Sequence, residues 1–242
     1  MQNTVTSLFG DSKPPATATR RARVIAITSG KGGVGKTNIT ANLAVALALG
    51  GKRVCIVDAD TGLANVNIVL GLRPSHTLED FLDGGLPIEA ILMEGPRGVR
   101  VVPGASGIVE YADLGRHHQQ SLLNGMQRLE QQFDYLLIDT AAGIADSVIR
   151  FVLAAERALL VVSPDPTSLT DAFALTRILK RNHYNGALHV VVNMADSEAS
   201  AQKIYQRFAQ EQSLSIEEMK GEVYGRRWTD ESRSEERRVG KE

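Results

Sequence analysis

Eight residues, Gly30-Lys31-Gly32-Gly33-Val34-Gly35-Lys36-Thr37, constrain this chain more than any other stretch. The apolar run Val24 to Thr28 leads into them, and a helix-like stretch, Asn38 to Leu49, follows. A glycine-rich segment between a buried strand and a helix is the setting of a phosphate-binding loop. Gly30, Gly32, Gly33 and Gly35 permit turns tight enough to aim successive N–H groups inward. The first turn of the next helix adds further unpaired donors, so the whole forms an anion cradle. Lys36 stands at the helix start, in reach of β- and γ-phosphates, and Thr37 offers a hydroxyl to Mg²⁺. Val34 and Asn38 complete the set of nucleotide-contacting positions. Lys31 is a second lysine in a loop where one would suffice to hold a nucleotide.

The rest of the chain alternates between short apolar runs and longer mixed ones. Strands are predicted over 24–28, 54–58, 99–102, 135–139, 158–163 and 188–192, rich in Val, Ile and Leu without polar alternation. That is the pattern of parallel strands covered on both faces. Helices are predicted over 36–49, 76–82, 87–92, 119–132, 144–154, 168–181 and 198–210. Strand and helix in turn give an α/β fold, a mostly parallel sheet flanked by helices. The 242 residues suffice for one well-cored domain, expected over 21–225. Residues 1–20, with Pro14, Pro15 and an isolated Leu8-Phe9 pair, read as a flexible arm, and 226–242 as a disordered tail.

A net charge of -1 argues against broad coating of nucleic acid or acidic membrane. The lone cysteine, Cys55, lies in an apolar run and reads as a buried small hydrophobe. Neither a secretory signal nor a membrane-spanning run is apparent, so a cytoplasmic protein is expected. His117 and His118 are adjacent and therefore face different sides of a helix, which disfavours a metal site there.

Three carboxylates and one amide stand at predicted strand ends, the ligand edge of a parallel sheet. Asp58 and Asp60 close the second strand in VDAD. We assign Asp60 to positioning the attacking water and Asp58 to the Mg²⁺ shell; a turn pair capping a following helix is the plainer alternative. Asp139 ends YLLID and is the expected second contact to Mg²⁺. Segments 60–67 and 139–146, with Gly62 and Gly143, read as two switches. Asn193 either reads an adenine edge or caps a turn, and Pro164 and Pro166 either line the nucleotide or a dimer face or simply punctuate a strand-to-helix turn.

These residues resemble the MinD/ParA family of P-loop ATPases with a deviant Walker A motif, and within it the branch that sets flagellar number. The stretches that carry the resemblance are VIAITSGKGGVGKTNITANLAVALA, VDADTGLANVNIVLGL, VRVVPGASG, LLIDTAAGIADSVI and SPDPTSLTDAFALTRILK, within about Val24 to Val223. The resemblance implies a SIMIBI/MinD-like P-loop fold, slow hydrolysis of ATP with Mg²⁺, and an ATP-dependent homodimer. It implies that Lys31 reaches across that dimer to the other subunit's ATP, that Lys36 and Thr37 are the Walker lysine and threonine, and that Asp60 and Asp139 belong to the two switches. Lys31, Lys36 and Asp60 are thus the candidate catalytic residues, and Thr37, Asp58 and Asp139 the candidate metal ligands. It further implies a master flagellar transcription activator and a signal-recognition-type flagellar GTPase, FlhF, as partners, with peripheral contact at the inner face of the cell membrane. Sequence-specific nucleic-acid binding is not expected. A ParA- or MinD-type partitioning or division-site ATPase is the alternative, and a nucleotide-bound scaffold without turnover a third. The segment 226–242 does not resemble the family and has the look of a truncated or chimeric reading frame. The family's later strand with its Ile-Pro turn and its C-terminal helix are not recognisable here. Neither is its glutamine- and arginine-containing motif in the N-terminal arm.

Overall fold

The computed structural model describes residues 21–60, 64–104 and 116–211. The arm 1–20, the tail 226–242, Gly62 and the His117 side chain lie outside the described residues. The chain divides into two compact units. One comprises residues up to Ala26, Thr37–Ala141 and Ala154–Glu156; the other comprises Ile27–Lys36, Ala142–Leu153 and residues from Arg157 onward.

The first unit contains the beginning of β1 (Arg23–Ser29), most of α1 (Lys36–Leu49), β2 (Val54–Ala59), α2 (Val66–Val69), α3 (Leu78–Leu82), β3 (Met93–Glu94), β4 (Arg100–Val102), α4 (Arg116–Gln132) and β5 (Tyr135–Ala142), the last as far as Ala141. Its strands run in the order β3-β4-β2-β5-β1. β5 therefore separates β1 from β2, and Asp139 is carried on the strand next to β1. β4, β2 and β5 are parallel, and β3 is a two-residue antiparallel edge. Every residue of β2 is buried, and Leu136, Leu137 and Ile138 of β5 are wholly buried. Cover on both faces explains why these strands lack polar alternation.

The β2–β5 register is anchored at its start. Arg53 donates from its backbone N and its guanidinium to the Asp134 carboxylate at 2.9 and 3.0 Å, and Asp134 N returns a bond to Arg53 O at 2.8 Å. Val54 then pairs with Tyr135, and four residues later Asp58 pairs with Asp139. Two carboxylates thus stand side by side in the register of two buried strands.

The second unit contains the end of β1, α5 (Asp146–Leu153), β6 (Arg157–Val162), α6 (Pro166–Arg181), β7 (Ala187–Val192) and α7 (Glu198–Glu211). Its strands run β1-β6-β7, with β6 and β7 parallel from Arg157↔Ala187 to Val162↔Val192. Phe173 of α6 stacks on Phe208 of α7 with ring centroids 5.0 Å apart.

Most predicted elements hold. The departures have local causes. The segment expected as a helix over 87–92 is a single 3₁₀ turn, Ile88–Ile91, behind Pro87, too short to sustain an α-helix. The expected helix 76–82 starts at Leu78, because Thr77 accepts from Glu79 N and Asp80 accepts from Thr77 N, a reciprocal cap. α6 starts two residues early, at Pro166, because Asp165 caps it. Among the described residues, no helix is long and apolar enough to cross a membrane.

Candidate functional site

In the second unit, β1 ends at Ser29 and the glycine-rich loop follows. Ser29 organises it. Its hydroxyl donates to Lys31 O at 2.7 Å and accepts from Lys36 Nζ at 2.9 Å, and its carbonyl accepts from Gly143 N at 2.9 Å. One residue therefore ties together the loop, its helix-start lysine and the segment after β5. Lys36 is buried, at 8% exposure.

Two glycines are required by their surroundings. A Cβ at Gly30 would lie 2.2 Å from the Asp171 backbone, so α6 runs directly against the loop. Gly35 has φ +91, and a Cβ there would lie 2.4 Å from Asn193 Nδ2. That nitrogen donates to Val34 O at 2.9 Å. Asn193 thus braces the loop from the end of β7, a role that stands beside the adenine contact or turn cap expected from sequence.

Lys31 lies half-exposed at the other end of the loop. Its ammonium donates to Asp165 Oδ2 at 2.5 Å and to Thr167 Oγ1 at 2.7 Å. Asp165 also accepts from Thr167 N at 2.8 Å, capping α6 behind Pro166. The Lys31 and Thr167 hydrogen bonds hold the Asp165 carboxyl down to about 2. Pro166 accordingly starts a helix that presents Asp165 and Thr167 to Lys31.

In the first unit, Thr37 is half-buried and Asn38 exposed, both in the first turn of α1. One turn on, Thr40 Oγ1 donates to Asp139 Oδ1 at 3.0 Å, both groups being buried. Asp58 is 1% exposed. Its two oxygens accept from Asp60 N at 3.2 Å and from Val66 N at 3.1 Å. Asp58 therefore ties the first N–H of the short α2 to a strand end, while Asp60, the other half of the pair in the plainer sequence alternative, donates its own N–H to Asp58. Burial first, and then the neighbouring charges of Asp139 and Asp60, raise its carboxyl to about 7 against the pull of the two N–H groups. Gly104 keeps room beside it: a Cβ there would stand 2.9 Å from Asp58 O. Asp60 is half-buried.

Comparison with known proteins decides what this arrangement is. A profile for ParA, described as a NUBPL iron-transfer P-loop NTPase, matches residues 20–228. The chain belongs to this family of P-loop NTPases. It is 47% identical over 183 residues to the antiactivator FleN of Pseudomonas aeruginosa, covering 76% of this chain and 65% of FleN. It is 34% identical over 196 residues to the flagellum site-determining protein YlxH of Helicobacter pylori, covering 76% of this chain and 62% of YlxH. The chain thus spans less than two thirds of the length of these curated relatives. Among solved structures it matches the septum site-determining protein MinD of Pyrococcus horikoshii, complexed with Mg-ADP, with a TM-score of 0.62 and 33% identity over 76% of this chain and 77% of that one. The fold is the α/β P-loop NTPase fold of the MinD/ParA class, a mixed, mostly parallel sheet flanked by helices.

The ParA-family loop present here suits a triphosphate. A Cβ at Gly32 or Gly33 would meet no protein atom within 4 Å, so the loop is open in front of them. The Thr37 hydroxyl and the Asp139 carboxylate are hard oxygen donors, the kind Mg²⁺ takes alongside phosphate and water. Among the described residues no cluster of three His, Cys, Asp or Glu side chains offers a self-contained metal cage.

Of the candidates read from sequence, Gly30, Lys31, Gly32, Gly33, Val34, Gly35, Lys36 and Asn193 fall within the second unit and Thr37, Asn38, Asp58, Asp60 and Asp139 within the first. Sequence reasoning missed Ser29, Thr40, Asp165 and Thr167. Asp165 was within reach, since Asp-Pro-Thr after an apolar run is a helix-start signal.

Proposed function

We propose that this chain is an ATPase that uses Mg²⁺ and works as a nucleotide-switched dimer governing flagellar number, placement and gene expression. The observation that supports it best is the contrast between the two loop lysines. Lys36 is buried on Ser29 at the helix start, suited to β- and γ-phosphates. Lys31 is half-exposed on Asp165 and Thr167, free of the core and able to exchange those oxygens for a phosphate outside its own loop. In this reading Thr37 and Asp139 hold Mg²⁺, which neutralises phosphate charge, and Thr40 orients the Asp139 carboxylate. Asp60 positions the attacking water, and Asp58 fixes the segment that carries it. Hydrolysis then rests on positioning and charge, with no covalent intermediate.

The flagellar assignment rests on likeness to FleN and YlxH. From the same likeness we infer a homodimer that restrains a master flagellar transcription activator, works with the GTPase FlhF, and stays in the cytoplasm or peripherally at the membrane. MinD-type division-site work is the second reading, favoured by the likeness to the P. horikoshii protein. The test is purified chain with ATP, with and without Mg²⁺, followed by sedimentation and phosphate release. An ATP-dependent dimer with slow, Mg²⁺-dependent turnover is expected. A dimer without turnover replaces the ATPase by a scaffold, and absence of ATP binding ends the reading.

A further inference from the structure

The turn after β4 lies against the segment that carries Asp60, and a glycine makes the room. The β2–β4 ladder stops at Val57↔Val102, because the next residue, Pro103, has no N–H to extend it. α3 then catches the chain. Pro103 O accepts from Leu78 N at 3.0 Å, the first N–H of that helix and one the helix cannot satisfy itself. Leu78 is 1% exposed and Pro103 is buried. Gly104 comes next and is buried too. A Cβ there would stand 2.9 Å from Ala64 Cβ, 2.9 Å from Asp58 O and 3.1 Å from Asp58 Cγ. Carbon atoms in ordinary contact lie about 3.5–4.0 Å apart. The Gly104 backbone is outside the left-handed region, so space and not conformation demands the glycine. These contacts fall on one segment and on its anchor. The Asp58 carboxylate accepts from Asp60 N and from Val66 N, one on each side of Ala64. Gly104 offers no side chain to a nucleotide or a metal, so what it governs is position.

We propose that Gly104 is a positioning residue for hydrolysis: the turn after β4 is the seat on which Asp58 and Ala64 rest, and the seat sets where Asp60 stands. The inference rests on the water-positioning reading of Asp60 above. In that reading a displacement of a few tenths of an ångström costs turnover before it costs binding, because attack needs the water held in line. A methyl added at position 104 forces such a displacement. The atoms it meets first, Ala64 Cβ and Asp58 O, are fixed to the backbone and cannot swing aside as the end of a long side chain would.

The test is single-turnover phosphate release from the full chain with Mg²⁺ and ATP, beside calorimetric ATP titration, for the parent, Gly104→Ala, Asp60→Ala and the double variant. Gly104→Ala is expected to slow release about fivefold, less than Asp60→Ala does, with ATP affinity within about twofold of the parent. In the Asp60→Ala background the added methyl should cost less than about twofold, because the residue it acts through is gone. The full loss in that background, or a matching loss of ATP affinity, would mean general distortion and overturn the proposal, as would release at the parent's rate. Ala64→Gly removes one atom the methyl meets, so Ala64→Gly with Gly104→Ala should release phosphate within about twofold of Ala64→Gly alone. Where Gly104→Ala does not fold, folding regained with Ala64→Gly places the clash at the seat, and the comparison with Asp60→Ala is made in that background. Failure of both to fold assigns the glycine to folding alone and overturns the proposal. An Asp60→Ala variant as fast as the parent removes the reading of Asp60 and this inference with it. A slow Asp60→Ala beside an unaffected Gly104→Ala removes the seat alone.

Discussion

The glycine-rich loop and the carboxylate strand ends differ in how their charges are satisfied. In the loop, Lys36 has the Ser29 hydroxyl and Lys31 has Asp165 and Thr167. Each cation faces oxygen, and a phosphate would replace one oxygen partner by another. At the strand ends, like charges are set beside each other. Asp58 and Asp139 are paired in register, 1% and 2% exposed, with Asp60 two residues on. Two backbone N–H groups compensate Asp58 only in part: burial first, and the neighbouring carboxylates after it, raise its carboxyl to about 7, while Thr40 donates to Asp139. The loop is an anion site in which Lys31 has a carboxylate and Lys36 a neutral hydroxyl. The strand ends are a place where a cation lowers the energy of groups the fold has forced together.

The largest expected effect comes from breaking the loop. Lys36→Ala should weaken ATP binding by about two to three orders of magnitude, since charge-assisted bonds to phosphate are worth roughly 1.5–3 kcal/mol each. Calorimetry checks it, and unchanged affinity would remove Lys36 from the phosphate site. Next comes the pH dependence of the carboxylates. Asp58 holds its proton more tightly folded than unfolded, so between about pH 4 and 7 the native state binds more protons. Stability from this group therefore falls as pH rises across that window. Asp58→Asn removes the fall. Its urea midpoint relative to the parent should be more favourable at pH 8 than at pH 5, a difference on the order of 3 kcal/mol. A pH-independent gap would show that the strand ends carry no such tension. Asp60→Ala should then slow phosphate release about tenfold or more while ATP affinity stays within about threefold. Loss of affinity as complete as in Lys36→Ala would make Asp60 a binding residue.

How much of this was legible in the sequence depends on range. The loop, α1 and the buried strands were readable because glycine spacing and unbroken apolar runs are local. α1 was placed at its observed bounds, 36–49, and ends where Gly51 takes φ +75. Two short elements, β3 and α2, were missed. Met93–Glu94 pairs only by lying antiparallel to β4, and Val66–Val69 is held by Asp58 eight residues earlier. Neither has a periodicity of its own. At the site, residue identities were legible and partners were not. The bracing bond from Asn193 to Val34 spans 159 positions and that from Thr40 to Asp139 spans 99. The raised Asp58 carboxyl needed its burial and the β2–β5 register, which no local pattern shows.

The smallest effect probes the partial compensation at the strand ends. Thr40 is wholly buried in α1 and donates to Asp139. Valine has nearly the same shape, so Thr40→Val removes the hydroxyl without opening a cavity, and a charge-assisted hydrogen bond goes with it. The folded protein should lose about 1–2 kcal/mol in urea denaturation at pH 8. Mg²⁺ and ATP should restore part of it if the metal takes over the charge on that carboxylate. A loss unaffected by nucleotide would assign the Thr40 hydroxyl to ordinary core packing.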